Sequence, residues 1–131
     1  ERTGRPAIEI AAGLDPSDID YINMHGTATP NNDLSEGRAV IRVFGEDGVP
    51  DFSSTKAFTG HTLAAAAAIE AVYSVLAIQN GVVYPNLNFE TPMEEFNLIP
   101  QTTLKHKNIE HVLSNSFGFG GNCSTVIFSK S

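Results

Sequence analysis

Two short stretches carry the side chains best suited to chemistry in this sequence. Residues 25–33 read HGTATPNND and residues 54–61 read STKAFTGH, so His25 and His61 each lie beside a glycine among small and hydroxyl side chains. A neutral imidazole donates a hydrogen bond through one ring nitrogen, and two such donors can converge on one developing oxyanion. A single histidine is more often a surface or hydrogen-bonded core residue, but the pair predicts one shared pocket.

Lys56 and Glu70 flank His61 in the sequence. Lys56 lies before it, and Glu70 follows it within the most apolar segment of the chain. Either side chain can be an ordinary solvated residue. A carboxylate buried in such a segment, however, needs a cation or several hydrogen-bond donors. Lys56 is the nearest candidate cation, which predicts an ion pair.

Other hydroxyl, aromatic and thiol side chains have two readings each. Thr27 and Thr29 are either turn residues or hydroxyls that meet the amide-bearing arm of an extended ligand. Phe117 and Phe119 enter a glycine-rich turn and are either core residues or a mobile aromatic gate. Cys123 lies in a strand pattern with no helix N-terminus to lower the pKa of its thiol, which predicts a buried structural thiol. His106 and His111 lack a companion motif and are interpreted as structural.

The surrounding pattern predicts an α/β domain that places both histidines where strands give way to helices. Strands are predicted at residues 19–24 and 49–54, and ligands in open α/β sheets bind beyond the carboxyl ends of such strands. A helix capped by Asn32 or Asp33 is predicted to run to Gly45, with residues 39, 40, 43 and 44 facing inward. Helices are also predicted at residues 6–13 and 63–80, and Gly81 ends the latter.

The last third of the chain is predicted to be a long excursion followed by a β-hairpin. Residues 82–108 contain three prolines and little periodicity, which indicates a surface segment with one brief strand that covers a site or a partner. Residues 109–117 and 123–128 are the hairpin strands. The alanine run at residues 64–68 predicts close packing of that helix against another backbone.

Composition limits the size, the partners and the cellular compartment that the chain can be expected to have. With 131 residues, 41% of them hydrophobic, the chain has the size of one domain, and its net charge of −7 without any Lys/Arg run argues against nucleic acid or an anionic membrane as partner. The apolar stretch 63–78 is interrupted by Glu70 and Ser74 and is shorter than the roughly 18 residues of a bilayer span, so a core helix is expected. A single cysteine indicates a reducing compartment, and we expect the cytoplasm. The start has no initiator Met or signal peptide and looks like a cut.

Three motifs together resemble the β-ketoacyl-[acyl carrier protein] synthases in order and spacing. They are HGTAT followed by ND at residues 25–33, the run from Lys56 through Gly60 and His61 to Glu70, and NSFGFGG at residues 115–121. The resemblance covers nearly the whole chain, but only as the C-terminal half of such an enzyme. It implies one domain over residues 1–131, with the thiolase-like fold: a layered, mixed β-sheet with helices, ending in a β-hairpin and truncated at the N-terminus.

The resemblance also implies decarboxylative Claisen condensation at a Cys-His-His site. His25 and His61 match the two histidines, and Lys56 matches the lysine that orients the second of them. Glu70 and Asp33 are supporting carboxylates, while Thr27 and Thr29 match the threonines that bind the phosphopantetheine arm. The gate corresponds to Phe117, Gly118, Phe119, Gly120 and Gly121. The nucleophilic cysteine belongs to the absent half; Cys123 does not match it and stands where the family more often has Asn.

The resemblance implies no metal or redox cofactor, because the phosphopantetheine arm arrives on the carrier protein substrate. Its implied partners are acyl carrier protein, the N-terminal half of the same enzyme, and a second subunit in a homodimer or heterodimer. The TAT and ND residues are typical of discrete fatty-acid enzymes rather than modular polyketide synthases. Alternatives are a non-catalytic chain-length-factor partner subunit, an inactive structural fragment, or a hydrolase that uses Cys123. The intact histidine pair argues against a decayed site.

Overall fold

A computed structural model of the chain describes residues 12–131, so the predicted helix at residues 6–13 lies almost entirely outside the described part. In chain order the strands are β1 (Tyr21–Asn23), β2 (Asp51–Ser53), β3 (Val82–Val83), β4 (Lys105–His106), β5 (His111–Phe117) and β6 (Cys123–Ser129). The α-helices are α1 (Pro30–Phe44), α2 (Lys56–Thr59) and α3 (Ala66–Asn80), and two 3₁₀ turns occupy Pro16–Asp18 and Leu63–Ala65.

Four strands form one mixed sheet in the order β2-β1-β5-β6. β1 pairs in parallel with β2 and β5, whereas β5 and β6 are antiparallel, with Phe117 opposite Cys123 and His111 opposite Ser129. The predicted terminal hairpin and the mixed sheet are confirmed. Parallel β1, β2 and β5 end at the same edge, which is where the HGTAT and STKAFTGH stretches begin.

The two faces of the sheet bury separate cores. Because side chains alternate along a strand, Ile22 of β1 packs with Val40 of α1 on one face, and its neighbour Tyr21 packs with Ala77 of α3 on the other. The chain therefore folds as helix, sheet and helix layers, as predicted for an α/β domain. Burial also raises the pKa of Tyr21, whose hydroxyl shares a hydrogen bond of 2.8 Å with Ser53.

α1 begins earlier than predicted. Its N-cap is Thr29, which makes no side-chain capping bond, and Pro30 occupies the first turn. Proline suits that position because its φ is already helical and its missing N–H would have no partner there. The predicted caps Asn32 and Asp33 therefore lie inside the helix. The end at Gly45 is confirmed, but residue 39, predicted to face inward, is exposed.

The long helix has less contact with the core than predicted. The helical stretch 63–80 starts as a 3₁₀ turn, ends at Gly81 as predicted, and has only 22% of its residues buried. Of the alanine run, only Ala66 is buried, so the close packing expected there is not made within the described chain. Val72 and Leu76 remain 58% and 39% exposed. The expected core helix is thus an apolar helix that packs on the sheet with one face and leaves another apolar face uncovered by the described residues.

By length and composition alone, the stretch 63–80 is long enough and apolar enough to cross a membrane, contrary to the expectation that residues 63–78 are too short and too interrupted to do so. Glu70 in its middle is buried against a lysine, and Ala77 packs on the sheet. These contacts place the helix in the folded domain.

The segment after α3 contains two brief strands rather than one. β3 and β4 pair antiparallel as a separate two-stranded sheet, with Val82 opposite His106. Within residues 56–60, predicted as a loop, Lys56–Thr59 form the single helical turn α2, and Gly60 follows it as the C-cap with φ of 71°. Both differences arise from pairings and turns too short to give a periodic pattern in the sequence.

Candidate active site

The two histidines predicted to share a pocket lie side by side. His25 follows β1 and is 5% exposed, while His61 follows α2 and is exposed. Their ring centroids are 5.4 Å apart, with ring planes at 88°. Gly26, with φ of 44°, makes the turn after His25, and a Cβ there would collide with Ser54 at 2.5 Å. The strand ends therefore bring together two imidazoles separated by more than one secondary-structure element in sequence.

Lys56 joins His25 to Glu70. Its Nζ forms a buried ion pair with Glu70 Oε1 and lies 3.3 Å from His25 Nδ1. Ser116 Oγ donates to the other oxygen of Glu70 at 3.4 Å. The predicted ion pair is confirmed. The side chain of Lys56 contacts the first histidine, His25, rather than His61, which the family resemblance implied it would orient.

The hydrogen bonds fix which ring nitrogen carries the proton on each histidine. An ammonium group only donates, so the contact from Lys56 makes Nδ1 of His25 the acceptor and leaves the proton on Nε2. The backbone N–H of Leu63 donates to Nδ1 of His61 at 3.1 Å, with the same consequence. Each imidazole is therefore a hydrogen-bond donor through its Nε2–H group.

Burial, the positive charge of Lys56 and the neighbouring His61 together lower the pKa of His25 to about 4. Each of these effects disfavours the imidazolium, because the charged ring would lose hydration and face another cation. At pH 7 His25 is consequently a neutral donor. It also packs against Phe117, whose ring centroid lies 5.4 Å away.

Glu36 is a site residue that the sequence interpretation missed. Its carboxylate is fully buried and accepts hydrogen bonds from the backbone N–H groups of His25 and Gly26 at 2.8 and 2.9 Å. The side-chain amides of Asn115 and Asn32 donate to it at 3.1 and 3.4 Å. Burial raises the pKa of Glu36 despite these donors. The sequence did offer one indication of this role: Glu36 lies on the same face of α1 as Gly37 and Val40, which are also buried.

The remaining candidates lie around this centre. Thr27 and Thr29 share a hydrogen bond of 3.0 Å between their hydroxyls at the rim. Asp33 accepts from the Asn32 amide at 3.2 Å and makes no hydrogen bond to either histidine. Phe119 is 99% exposed at the tip of the hairpin. Its flanking loop, residues 118–122, is closed by a bond from Gly118 N to Asn122 O, and Gly120 and Gly121 have φ of 84° and 85°.

The thiol does not belong to this centre. Cys123 is exposed at the start of β6, so the predicted burial is wrong; β6 is the edge strand of the described sheet, and no described residue covers its outer side. His106 is exposed on β4, and His111 bonds Ser129 Oγ at 2.8 Å, in agreement with structural roles. Among residues 12–131, no group of three or more His, Cys, Asp and Glu side chains is arranged to hold a metal ion.

Known proteins share both the sequence and the fold of this chain. The family description "Beta-ketoacyl synthase, C-terminal domain" matches residues 6–90. The mitochondrial 3-oxoacyl-[acyl-carrier-protein] synthase of Arabidopsis thaliana is 46% identical over 91% of this chain and 27% of its own length. The 3-oxoacyl-[acyl-carrier-protein] synthase 1 of Escherichia coli K12 is 44% identical over 86% of this chain and 28% of its own. This chain thus spans less than a third of either relative.

Solved structures of ketosynthases are also similar to this chain. The ishigamide ketosynthase/chain length factor superimposes with a TM-score of 0.89 at 31% identity, covering 94% of this chain and 30% of that chain. A ketosynthase in complex with its type II PKS acyl-carrier protein superimposes with a TM-score of 0.88 at 34% identity, covering 94% and 31% respectively.

Proposed function

This chain belongs to the β-ketoacyl synthase family and has its thiolase-like α/β fold, and from that premise we propose that it supplies the two-histidine part of a 3-oxoacyl-[acyl-carrier-protein] synthase. The reaction is decarboxylative Claisen condensation. The nucleophilic cysteine is contributed by the N-terminal half of the same enzyme, and residues 1–131 act as the C-terminal domain.

In the proposed reaction, an acyl group is first held on that cysteine as a thioester. The malonyl thioester then loses carbon dioxide, and the electron pair of the broken C–C bond forms an enolate. The enolate carbon attacks the acyl carbonyl, a new C–C bond forms, and the cysteine leaves as thiolate. The Nε2–H groups of His25 and His61 donate to the enolate oxygen while it carries charge, which lowers the barrier because the charge develops during the reaction.

The observation that carries this proposal is the shared tautomer of the two imidazoles. Their rings lie 5.4 Å apart, and each has its Nδ1 occupied by a fixed donor, Lys56 Nζ for His25 and the Leu63 N–H for His61. Donors that are oriented before the substrate arrives need no reorganisation when charge appears. Thr27 and Thr29 at the rim are proposed to hold the phosphopantetheine arm, and Phe119, on the glycine-rich loop 118–122, is proposed to gate entry.

Mutation of the histidines in the full-length enzyme tests the proposal. His25→Ala and His61→Ala should each slow carbon dioxide release from malonyl-carrier thioester by roughly 100-fold or more, the usual loss for one oxyanion donor. His106→Ala is the matched control, because that histidine is exposed on β4 away from the site. Release at the wild-type rate by His25→Ala contradicts the proposed role.

Because the chain resembles a ketosynthase/chain length factor, we retain a second candidate function, that of a non-catalytic partner subunit. Labelling in a Cys123→Ser background separates the two, because the exposed thiol of Cys123 would itself react. Iodoacetamide or cerulenin should modify the nucleophilic cysteine of the full-length catalytic protein, and no labelling of the folded full-length protein favours the partner subunit. Acyl carrier protein and a second subunit are proposed partners, by analogy with the complexes formed by the solved relatives. Independence from metal and redox cofactors and a cytoplasmic location stay predictions.

A further inference from the structure

The carboxylate of Glu36 is held by hydrogen-bond donors on both of its oxygens. Oε1 accepts from the backbone N–H of His25 at 2.8 Å and from the side-chain amide of Asn115 at 3.1 Å. Oε2 accepts from the backbone N–H of Gly26 at 2.9 Å and from the Asn32 amide at 3.4 Å. Because amide N–H groups cannot accept a carboxyl proton, these four contacts match the ionised carboxylate. Each oxygen therefore joins one backbone group of the histidine turn to one asparagine side chain.

The two backbone donors belong to consecutive residues, so the carboxylate of Glu36 holds the turn that leaves β1. Gly26 has φ of 44°, and Ser54 Oγ donates to its carbonyl oxygen at 3.0 Å. The imidazole of His25 extends from the backbone between the two bonded N–H groups. A displacement of the carboxylate would consequently move the Nε2 atom of His25.

Asn115 reaches Glu36 because of its position in the sheet. Successive side chains of a strand alternate between faces, and Leu113 of β5 packs in the core on the α1 side. Asn115, two residues later, points to the same side and is buried. Ser116 points to the other side, where its hydroxyl donates to Glu70 at 3.4 Å. The end of β5 thus contacts two buried carboxylates of the site, one on each face of the sheet.

Thr125 determines which way the Asn115 amide faces. The two residues lie directly opposite each other in β5 and β6, and Thr125 Oγ1 donates to Asn115 Oδ1 at 2.8 Å. The amide nitrogen must face Glu36, since a carboxylate cannot donate, and the amide oxygen then needs a donor on its other side. The threonine hydroxyl is that donor. A chain of hydrogen bonds therefore runs from β6 through β5 and α1 to the backbone of His25.

We propose that Asn115 and Thr125 are positioning residues for His25 and that they act through Glu36. Thr125 orients the Asn115 amide, the amide holds the carboxylate, and the carboxylate holds the backbone from which the imidazole extends. This inference rests on the proposed function, because it concerns the placement of the proposed oxyanion donor. It gives the terminal hairpin a role in the catalytic step besides the gate, and it assigns neither residue a contact with the substrate.

Thr125→Val tests the inference in the full-length enzyme, because valine keeps the β-branched shape that suits a strand and lacks the hydroxyl. The kcat for carbon dioxide release from malonyl-carrier thioester should fall roughly tenfold, since catalysis is sensitive to small displacements of a catalytic group. KM should stay at the wild-type value, as expected when the weakened interaction is made mainly in the transition state. Thr125→Ser retains the hydroxyl and should restore most of the lost kcat.

Nuclear magnetic resonance detects the proposed displacement without reference to activity. In Thr125→Val the backbone amide proton signals of His25 and Gly26 should move to higher field, because their hydrogen bonds to the carboxylate weaken. Asn115→Ala removes the next member of the same chain of bonds and should reproduce the kcat loss and both signal shifts.

Ser124→Ala is the matched control. It removes a hydroxyl from the neighbouring position of β6, whose side chain points to the opposite face of the sheet. Both kcat and the two amide signals should stay at their wild-type values. Thermal melting, measured for every variant, establishes that each is folded at the assay temperature.

Three results overturn the inference: wild-type kcat in Thr125→Val or Asn115→Ala, equal losses in Thr125→Val and Thr125→Ser, or amide signals of His25 and Gly26 that do not move. In each of these cases, carbon dioxide release by the wild-type enzyme leaves the proposed function intact. A wild-type enzyme that releases no carbon dioxide from malonyl-carrier thioester refutes the proposed function itself.

Discussion

At the scale of single residues, the chemistry depends on which nitrogen of each imidazole carries its proton. Lys56 affects His25 in two ways: its ammonium group donates to Nδ1 of the imidazole, and its positive charge opposes protonation of the ring. The negative charge of Glu70 keeps that ammonium in place within a buried environment. Replacing Lys56 would therefore change the tautomer of His25 as well as its pKa.

Nuclear magnetic resonance of ¹⁵N-labelled histidine in the full-length enzyme can measure this directly. His25 should remain the neutral Nε2–H tautomer as the pH falls to about 5, because its pKa is lowered to about 4 from the ordinary value of about 6.5. In Lys56→Met the Nδ1 contact is lost, the Nε2–H preference should weaken, and the pKa should rise since one of the opposing charges is gone.

The lowered pKa of His25 also sets the sign of the contribution that His25 makes to stability. Between about pH 6.5 and pH 4 the unfolded chain binds a proton at His25 that the folded chain does not, so this contribution to the free energy of unfolding falls as the pH falls through that window. In the nuclear magnetic resonance spectrum, the signal of His25 is identified as the one that is absent from the His25→Gln variant. Protonation of His25 near pH 6.5, or an Nδ1–H tautomer in the wild type, contradicts the assignment.

At the scale of elements, α1 meets the loop of residues 87–100 where Gly37 contacts Phe96. Gly37→Ala should lower the thermal unfolding midpoint of the full-length enzyme, because the added methyl group collides with the ring and overpacking costs about 1–3 kcal/mol. In a Phe96→Ala background the same substitution should raise the midpoint, since alanine is about 1 kcal/mol better than glycine inside a helix. An effect of the same sign in both backgrounds would show that the contact does not control this position.

The elements that follow a repeating pattern were predicted well from the sequence. The hairpin strands β5 and β6, the helix ending at Gly81 and the strands before His25 and Lys56 are all present near the predicted positions. The start of α1 at Pro30 was not predicted, because side-chain capping was expected and none is made. The position of residues 87–100 depends on contacts with α1 and β2 that are distant in sequence, which local patterns do not encode.

The same distinction applies to the site. His25, His61 and the Lys56–Glu70 pair were found because each lies in a recognisable motif or in a polar position within an apolar run. Glu36 was missed because a glutamate in the first turns of a helix is ordinarily a solvated residue that complements the helix dipole. Only the fold shows that it accepts the backbone N–H groups of His25 and Gly26.

At the scale of the whole molecule, the described chain has two unequal sides. On one side Val40 of α1 packs on the sheet and no large hydrophobic side chain of α1 is exposed, whereas the helical stretch 63–80 leaves Leu63, Val72 and Leu76 exposed by 73%, 58% and 39%. Next to it, β6 forms the edge of the described sheet with exposed side chains along most of its length. Contiguous apolar surface and an unpaired strand edge both favour association with another protein surface.

We therefore expect the 131-residue chain, expressed alone, to self-associate through α3 in sedimentation velocity over a range of concentrations. The double substitution Val72→Lys/Leu76→Lys should shift it towards monomer, because two ammonium groups on the exposed face oppose its burial. Two added lysines change the net charge from −7 to −5, which weakens overall repulsion, so a loss of association cannot be a net-charge effect. Ile99→Lys/Leu104→Lys makes the same charge change at exposed positions after α3 and should leave the association unchanged. A wild-type chain that is monomeric at all concentrations, or equal dissociation by both double variants, would show that the α3 face is not the contact surface.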